Sequence, residues 1–325
     1  MSPANEGMIE GPIAVDGATG YLGSHLIDRL GRLNCRVAAL VHPGAGQKDI
    51  EIIKSTGAQV VTADLSLANI DATAEHLRGC KTVVHLIGSV APKKGVALSD
   101  LHVGQTRNLV EACRLANVGR LVMVTTLGAR SDADNIYQST KSAAEEVVKA
   151  SGLNYTILRP PLLIGRTFGQ RDSKLVRRYR EMIVGKKVVL LINGGKNKLQ
   201  PLFIDDIVSA ICKCLANEGG CERAVLEVGG PEVIDMRQFV EMLMETCKLH
   251  KPIVSLPPML ATVAAAFCEL IQDVPMVSSD QVKLALADNI CVDNAMVSKL
   301  KLELTPVKRA LDSYNTDSAQ LSILS

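Results

Sequence analysis

The chain has 325 residues, 47% of them hydrophobic and 22% charged, with 36 basic against 34 acidic side chains and a formal charge of +2; these are the proportions of a globular protein. A chain this long buries a sizeable core unaided, which excludes the small disulfide- or metal-stapled scaffolds. The near-zero net charge gives no long-range attraction to nucleic acid or to an anionic membrane, and 3% aromatic content with no Trp argues against a stacking platform for single strands or a sugar groove, so a small molecule is the expected partner.

Met1–Glu10 is polar and acidic, lacking the apolar stretch of a signal peptide and the arginines of a transit sequence, and reads as a frayed tail. From Pro12 onward, short runs rich in Val, Ile, Leu and Thr alternate with amphipathic stretches. In chain order the strands are Pro12–Val15, Arg36–Val41, Gln59–Ala63, Thr82–Ile87, Arg120–Thr125 and Asn154–Leu158, and the helices between them are Tyr21–Leu33, Lys48–Thr56, Ala72–Arg78, Val103–Ala116 and Lys141–Ser151. Continuous apolar runs suit strands buried on both faces, and six strands with five helical crossovers predict an α/β fold, a Rossmann-type doubly wound parallel sheet. Pro160 and Pro161 break the alternation. A basic helix at Ser173–Val184, strands at Val188–Ile192, Leu202–Ile204 and Ala224–Val228, and helices at Asp205–Ala216 and near 235–248 and 256–271 predict a smaller C-terminal lobe. The expected division is a main domain over 11–160, a mainly substrate-binding lobe over 161–314 with segments returning to the main domain, and a flexible tail over 315–325.

Val15–Gly23 reads VDGATGYLG: a strand runs through glycines at 17, 20 and 23 straight into a helix. A tight turn and close backbone approach to a pyrophosphate both exclude a Cβ, and the phosphates then rest on the helix N-terminus. Glycines alone are weak evidence, but their place between the first strand and first helix is the context that nucleotide binding needs. Asp16 is unusual at that strand end. The second strand closes on Val41 and His42, where an NAD site carries an acid for the ribose hydroxyls; His42, with Lys48 beyond it, suits a 2′-phosphate, which favours NADP(H) over NAD(H) unless His42 only starts a solvated loop. Asp64, after the third strand, is placed to accept a hydrogen bond from an adenine amino group or to serve as an ordinary loop residue. Tyr137 and Lys141 are four apart and share a helix face; an ammonium beside a phenol lowers the phenol's pKa and makes it a usable proton donor or acceptor. Thr125 and Thr126 end the preceding strand and offer a hydroxyl to a substrate carbonyl.

The ordered set GATGYLG, Asp64, HLIGS at His85–Ser89, TTLGA at Thr125–Ala129, YQSTK at Tyr137–Lys141 and LRPPLLIG at Leu158–Gly165 resembles the short-chain dehydrogenase/reductase superfamily, extended or atypical branch, over roughly 12–311. Within that branch, VAALVH, KLQPLFIDDI at Lys198–Ile207, EVGGPE at Glu227–Glu232 and SLPPML at Ser255–Leu260 are similar to the NAD(P)H-binding accessory subunits of respiratory complex I and their bacterial relatives. The resemblance implies that 11–160 is an NAD(P)-binding domain. Cofactor contacts would come from Gly17, Ala18, Thr19, Gly20, Tyr21, Leu22 and Gly23, from His42, Asp64 and Leu65, from Leu86, Ile87 and Gly88, and from Pro160 and Leu162 on the nicotinamide side. It makes Tyr137 the acid/base, puts Lys141 on the ribose, and gives Thr125 or Thr126 the place most active members fill with Ser.

The expected activity is that of an NAD(P)H-dependent oxidoreductase on an apolar carbonyl or hydroxy compound; the rivals are a non-catalytic nucleotide-holding or sensor subunit, and an epimerase or dehydratase that recycles its cofactor. Asp205–Asp206 is expected to favour the start of the helix it opens. Arg171, Lys174, Arg177, Arg178 and Arg180 read as a solvated helix face, with attraction of an anionic substrate or a membrane surface as the alternative. Leu256–Ile271, too short to cross a bilayer, lines an apolar pocket or lies against a membrane surface. Nine irregularly spaced cysteines read as reduced thiols of a cytoplasmic protein, and Cys212, Cys214 and Cys221 as buried side chains, so no metal is expected. His25, His76, His85, His102 and His250 look isolated. A monomer or a homodimer is expected, with Val103–Ala116 and Lys141–Ser151 resembling the helices that pair in dimers of the superfamily.

Overall fold

The computed structural model describes residues 8–90, 96–271 and 278–315, and the side chains of 267–271 are not described. The expected tails therefore lie largely outside the described residues. Six strands carry the first half of the chain: β1 (Ile13–Val15), β2 (Val37–Val41), β3 (Gln59–Thr62), β4 (Thr82–His85), β5 (Arg120–Val124) and β6 (Asn154–Arg159). Between them run α1 (Tyr21–Arg32), α2 (Gln47–Ser55), α3 (Ile70–Leu77), α4 (Gln105–Leu115) and α5 (Ile136–Lys149). The second half adds β7 (Leu163–Ile164), α6 (Lys174–Gly185), β8 (Val189–Ile192), β9 (Lys198–Leu199), β10 (Leu202–Phe203), α7 (Ile204–Leu215), β11 (Ala224–Glu227) and β12 (Ile234–Asp235). It ends with α8 (Met236–Thr246), β13 (Ile253–Leu256), α9 (Pro258–Ile271), α10 (Ser279–Leu286), α11 (Ala295–Ser298) and α12 (Val307–Asp312).

The central sheet is parallel throughout, in the order β11-β6-β5-β4-β1-β2-β3. The chain builds outward from β1 to β3, then returns to lay β4 on the other side of β1, so the order reverses between β1 and β4. At such a switch point the flanking loops part, and a crevice opens at the carboxyl ends of the strands. Both faces are covered because both are apolar. Leu26, Leu30, Ile53, Ile207 and Ile211 from α1, α2 and α7 pack on one, and Leu77, Leu109, Cys113, Ala144 and Val148 from α3, α4 and α5 on the other. Cys212, Cys214 and Cys221 are fully buried on the α7 side.

One strand lies elsewhere than its sequence position suggests. Ala224–Glu227 joins β6 as the seventh strand of the main sheet, with Val225 opposite Ile157 and Leu226 opposite Leu158. It is anchored by the Thr156 hydroxyl, which donates to Cys221 O at 2.7 Å. An apolar run reports burial, not which sheet buries it. A third cluster gathers Ile164, Val176, Leu191, Phe239 and Leu243 among three two-stranded ribbons, β10–β7, β12–β9 and β13–β8. Its helix α8 begins in a full capping box between Asp235 and Gln238.

Candidate active site

The glycine loop fills the first βα turn. Gly17 holds φ at +60°, and a Cβ there would lie 3.1 Å from the carbonyl carbon of Leu86; a Cβ on Gly23 would lie 2.2 Å from Gly17 O. Position 23 is closed to any side chain, and position 17 favours glycine through its left-handed φ and its tight approach to Leu86. Gly20 N–H donates to Gly17 O at 2.8 Å and Ser24 N–H to Gly20 O, which leaves the N–H groups of Tyr21, Leu22 and Gly23 at the head of α1 without intrahelical acceptors. Ala18 is buried, and Thr19 is half-buried. Tyr21 turns away from the loop: its hydroxyl donates to Gly165 O at 2.7 Å, and burial, with Tyr314 and Asp172 nearby, pushes its phenol well up.

Directly behind the loop, Asp16 explains its odd position. Its buried Oδ1 accepts from Leu86 N at 2.6 Å and Ile87 N at 3.1 Å, and Oδ2 meets His85 Nδ1. The carboxylate thus pins the end of β4 to the end of β1 across the switch point. His85 continues through Nε2 to the Thr106 hydroxyl at 2.9 Å, which in turn reaches His102 O. His102 sits on a wide turn, Asp100–Gly104, of the π type that often marks functional sites. Ser89 N–H donates to its Nε2, so the neutral ring carries its proton on Nδ1, 2.9 Å from the Thr140 hydroxyl. Burial first, and then Lys141, pull its pKa down to about 3. The reading of His85 and His102 as isolated is therefore corrected, and so is that of His25, which bonds Arg166 O and approaches Asp205. The missed signal lay in register: Val15 pairs with Val84, so an acid and an imidazole one residue later must meet.

Tyr137 and Lys141 occupy the first two turns of α5, which starts at Ile136, earlier than the sequence suggests, because Asn135 caps it by accepting from Gln138 N at 2.9 Å. Lys141 is buried, and its Nζ donates to Ile87 O at 3.0 Å and lies against Gly88. Desolvation lowers its pKa to about 8 against the pull of Asp16 and Glu145. The Tyr137 ring meets His102 edge-on, 5.7 Å between centroids. Burial raises its phenol, and only a hydrogen bond with Thr126 opposes this; the expected lowering by Lys141 is not found, since the ammonium is turned to Ile87 O. The two threonines separate. Thr125 is buried and donates to Glu145 Oε1 at 2.7 Å, beside the Arg159–Glu145 pair, whereas the half-buried Thr126 donates to Leu127 O at 3.4 Å and opposes the rise of the Tyr137 phenol.

Beyond the end of β2, His42 is exposed, and its Nδ1 accepts from Gly44 N at 3.0 Å. Asp64 folds its own turn, accepting from Ser66 N at 3.1 Å and Asn69 Nδ2 at 3.2 Å; Leu65 beside it is buried. Pro43, Ala63, Asp64 and Asn69 line one groove of about 240 Å³. Pro160 O accepts from Leu127 N and Leu162 O from Leu202 N, so both are fixed by backbone. Asp205 and Asp206 make ties rather than cap: Asp205 accepts from Arg166 and Asp206 from Thr305, and the α7 cap position, Phe203, makes no side-chain bond. Of the basic cluster, Lys174, Arg177 and Arg178 are exposed, but Arg180 is buried with its guanidinium 5.1 Å over the Tyr314 ring.

A parallel sheet with a glycine loop at its first crossover, and a Tyr–Lys pair across the switch point from it, define a dinucleotide-binding α/β protein of the Rossmann class. Residues 17–191, more than half of the chain, match the family model described as NAD(P)H-binding, and the chain belongs to that family. It is similar to NADH dehydrogenase (ubiquinone) 1 alpha subcomplex subunit 9, mitochondrial, of Arabidopsis thaliana, 26% identical over 308 residues, 90% of this chain and 74% of the relative. It is also similar to the ceramide reductase of Caulobacter vibrioides, 30% identical over 207 residues, 62% of this chain and 60% of the relative. Among solved structures, UDP-glucuronic acid 4-epimerase from Bacillus cereus in complex with UDP-glucuronic acid and NAD shares the fold, with a TM-score of 0.71 over 95% of this chain and 99% of that one at 18% identity. The resemblance to the extended or atypical short-chain dehydrogenase/reductases is thereby borne out.

Proposed function

We propose that the protein is an NAD(P)H-dependent reductase of an apolar carbonyl compound, with Tyr137 as proton donor. The observation that carries this reading is the placing of the Tyr137 phenol one helical turn from a buried Lys141, whose ammonium is held at the carboxyl end of β4. Gly17–Gly23 would hold the pyrophosphate on the head of α1, and Ile87, Gly88, Pro160 and Leu162 would flank the nicotinamide. When bound, the cofactor supplies the hydride. Thr126 then orients the substrate oxygen, Tyr137 gives it the proton, and Lys141, turned from Ile87 O toward the ribose, favours the phenolate left behind. Thr125, committed to Glu145, supports the strand end from beneath.

NADP(H) is favoured over NAD(H). With Nδ1 accepting from Gly44, neutral His42 carries its proton on Nε2, a donor suited to a 2′-phosphate, where a carboxylate would repel one. The name of the Caulobacter relative, a ceramide reductase, supports a lipid-like substrate. The irregular spacing of nine cysteines in a long chain supports a reducing, cytoplasmic setting, and a monomer or homodimer accounts for the covered faces of α4 and α5. A second reading, a cofactor-holding subunit without turnover, is favoured by the long match to the Arabidopsis respiratory subunit and by the raised Tyr137 phenol. The deciding experiment titrates the protein with NADPH and NADH by cofactor fluorescence, then follows oxidation against apolar ketones and quinones. Binding with substrate-dependent oxidation supports the reductase; binding with none across the panel supports the subunit; absence of binding overturns both.

A further inference from the structure

The β8–β13 ribbon has an inner face and an outer one. Val189 and Leu191 enter the third core cluster, so their neighbours along the strand face outward. There α9 crosses one end, seating Ala261 and Ala265 near Ile192 and Leu256. The other end is bare: register partners Leu190 and Val254 are 45% and 44% exposed. The outward side of α9, joined to the ribbon through Pro257 alone, shows Met259 at 77% and Val263 at 62% with Leu260 between them. These residues form an apolar strip left uncovered among the described residues.

The charge around the strip is one-sided. Residues 182–204 and 246–268, which contain β8, β13 and nearly all of α9, hold six lysines and no Asp or Glu. Lys186 and Lys187 lead directly into β8, Lys196 follows it, and all three are exposed. We propose that this face docks on an anionic membrane surface, with Met259, Leu260 and Val263 immersed at the headgroup boundary and the three lysines among the lipid phosphates. A second copy of the chain is a poorer occupant, because self-pairing would bring lysines against lysines. Spanning is excluded for α9, whose 14 residues reach about 21 Å against a hydrocarbon core of about 30 Å.

The docked face adjoins the candidate site. Helix α10 packs beside α9 and is tied to the head of α5: Asp280 accepts from Ile136 N at 3.1 Å, and Lys283 Nζ donates to Asp134 O at 2.9 Å. Docking would thus turn the neighbourhood of Tyr137 toward lipid, although the membrane contact does not depend on the reductase reading.

The test is flotation of the full-length protein with phosphatidylcholine vesicles and with phosphatidylserine-rich vesicles. Association with the anionic vesicles alone, weakened by salt, is expected. Lys186→Glu/Lys187→Glu should lower partitioning at least about thirtyfold, and Leu260→Glu/Val263→Glu should also lower it while NADPH binding, read by fluorescence, stays as in the parent. No association with anionic vesicles, or equal association by both variants, overturns the proposal. So does a dimer, sized by light scattering, that either variant dissolves, since the occupant is then a second copy.

Discussion

Asp16 satisfies three buried donors at once, so its loss is felt through what it leaves behind. Asp16→Ala strands the Leu86 and Ile87 N–H groups and the His85 ring, and each stranded donor costs about 1–3 kcal/mol; the variant should lose several kcal/mol in urea unfolding, and a shift below 1 kcal/mol would show that the carboxylate is idle. Tyr137→Phe removes only a hydroxyl and should reduce turnover by about a hundredfold or more while the fluorescence-measured cofactor affinity holds; unchanged turnover sinks the proton-donor role. Lys141 gives a pH signature. Its folded pKa of about 8 lies below the ordinary 10.5, so the unfolded chain holds the proton more tightly. The penalty is constant below pH 8 and is relieved as the pH rises from 8 toward 10.5. The stability advantage of Lys141→Met over the parent should accordingly shrink across that window, and a difference that stays flat with pH would contradict the buried ammonium.

The helix α5 shows how an element can hold or spoil a site. Its first turn carries Tyr137 and hangs on the Asn135 cap; Asn135→Ala should cost about 1 kcal/mol and, by fraying that turn, lower turnover more than it lowers cofactor affinity. Equal losses in both would mean that the cap serves only stability. The sheet was legible because the central strands β1, β4 and β5 are buried on both faces and so carry apolar runs, and the Gly17–Gly23 loop was legible because backbone closeness needs glycine. The relay from Asp16 through His85 and Thr106 to His102 was not, since it joins residues far apart in the chain through strand register and a wide turn that leaves no periodic trace. Nor could spacing separate Thr125 from Thr126: adjacent residues of a strand end point to opposite sides, and only the location of Glu145 decides which hydroxyl faces Tyr137.

At the level of the whole molecule, the net charge of +2 conceals an uneven distribution, for the segments between Glu181 and Asp205 and between Glu245 and Glu269 carry six lysines and no acid. An average rules out a general electrostatic footprint but not a local one. Cofactor binding should also register globally: a ligand that seals the crevice between β1 and β4 at a hundred times its Kd adds about 2.7 kcal/mol, seen as a rise in Tm with NADPH that exceeds the rise with NADH if His42 meets a 2′-phosphate. The seventh strand bears on how the protein comes to exist at all. A ribosome has already delivered the glycine loop, Tyr137 and Lys141 when β6 emerges, yet β11 follows only after α6, the strands β7 to β10 and α7 have been made. Until then the nascent sheet ends in an open, apolar strand, and α1 lacks the cover of α7, a state prone to self-association. A chain released at residue 191, where the family match ends, would be left in that state, and should be recovered as aggregate although every glycine of its nucleotide loop is present.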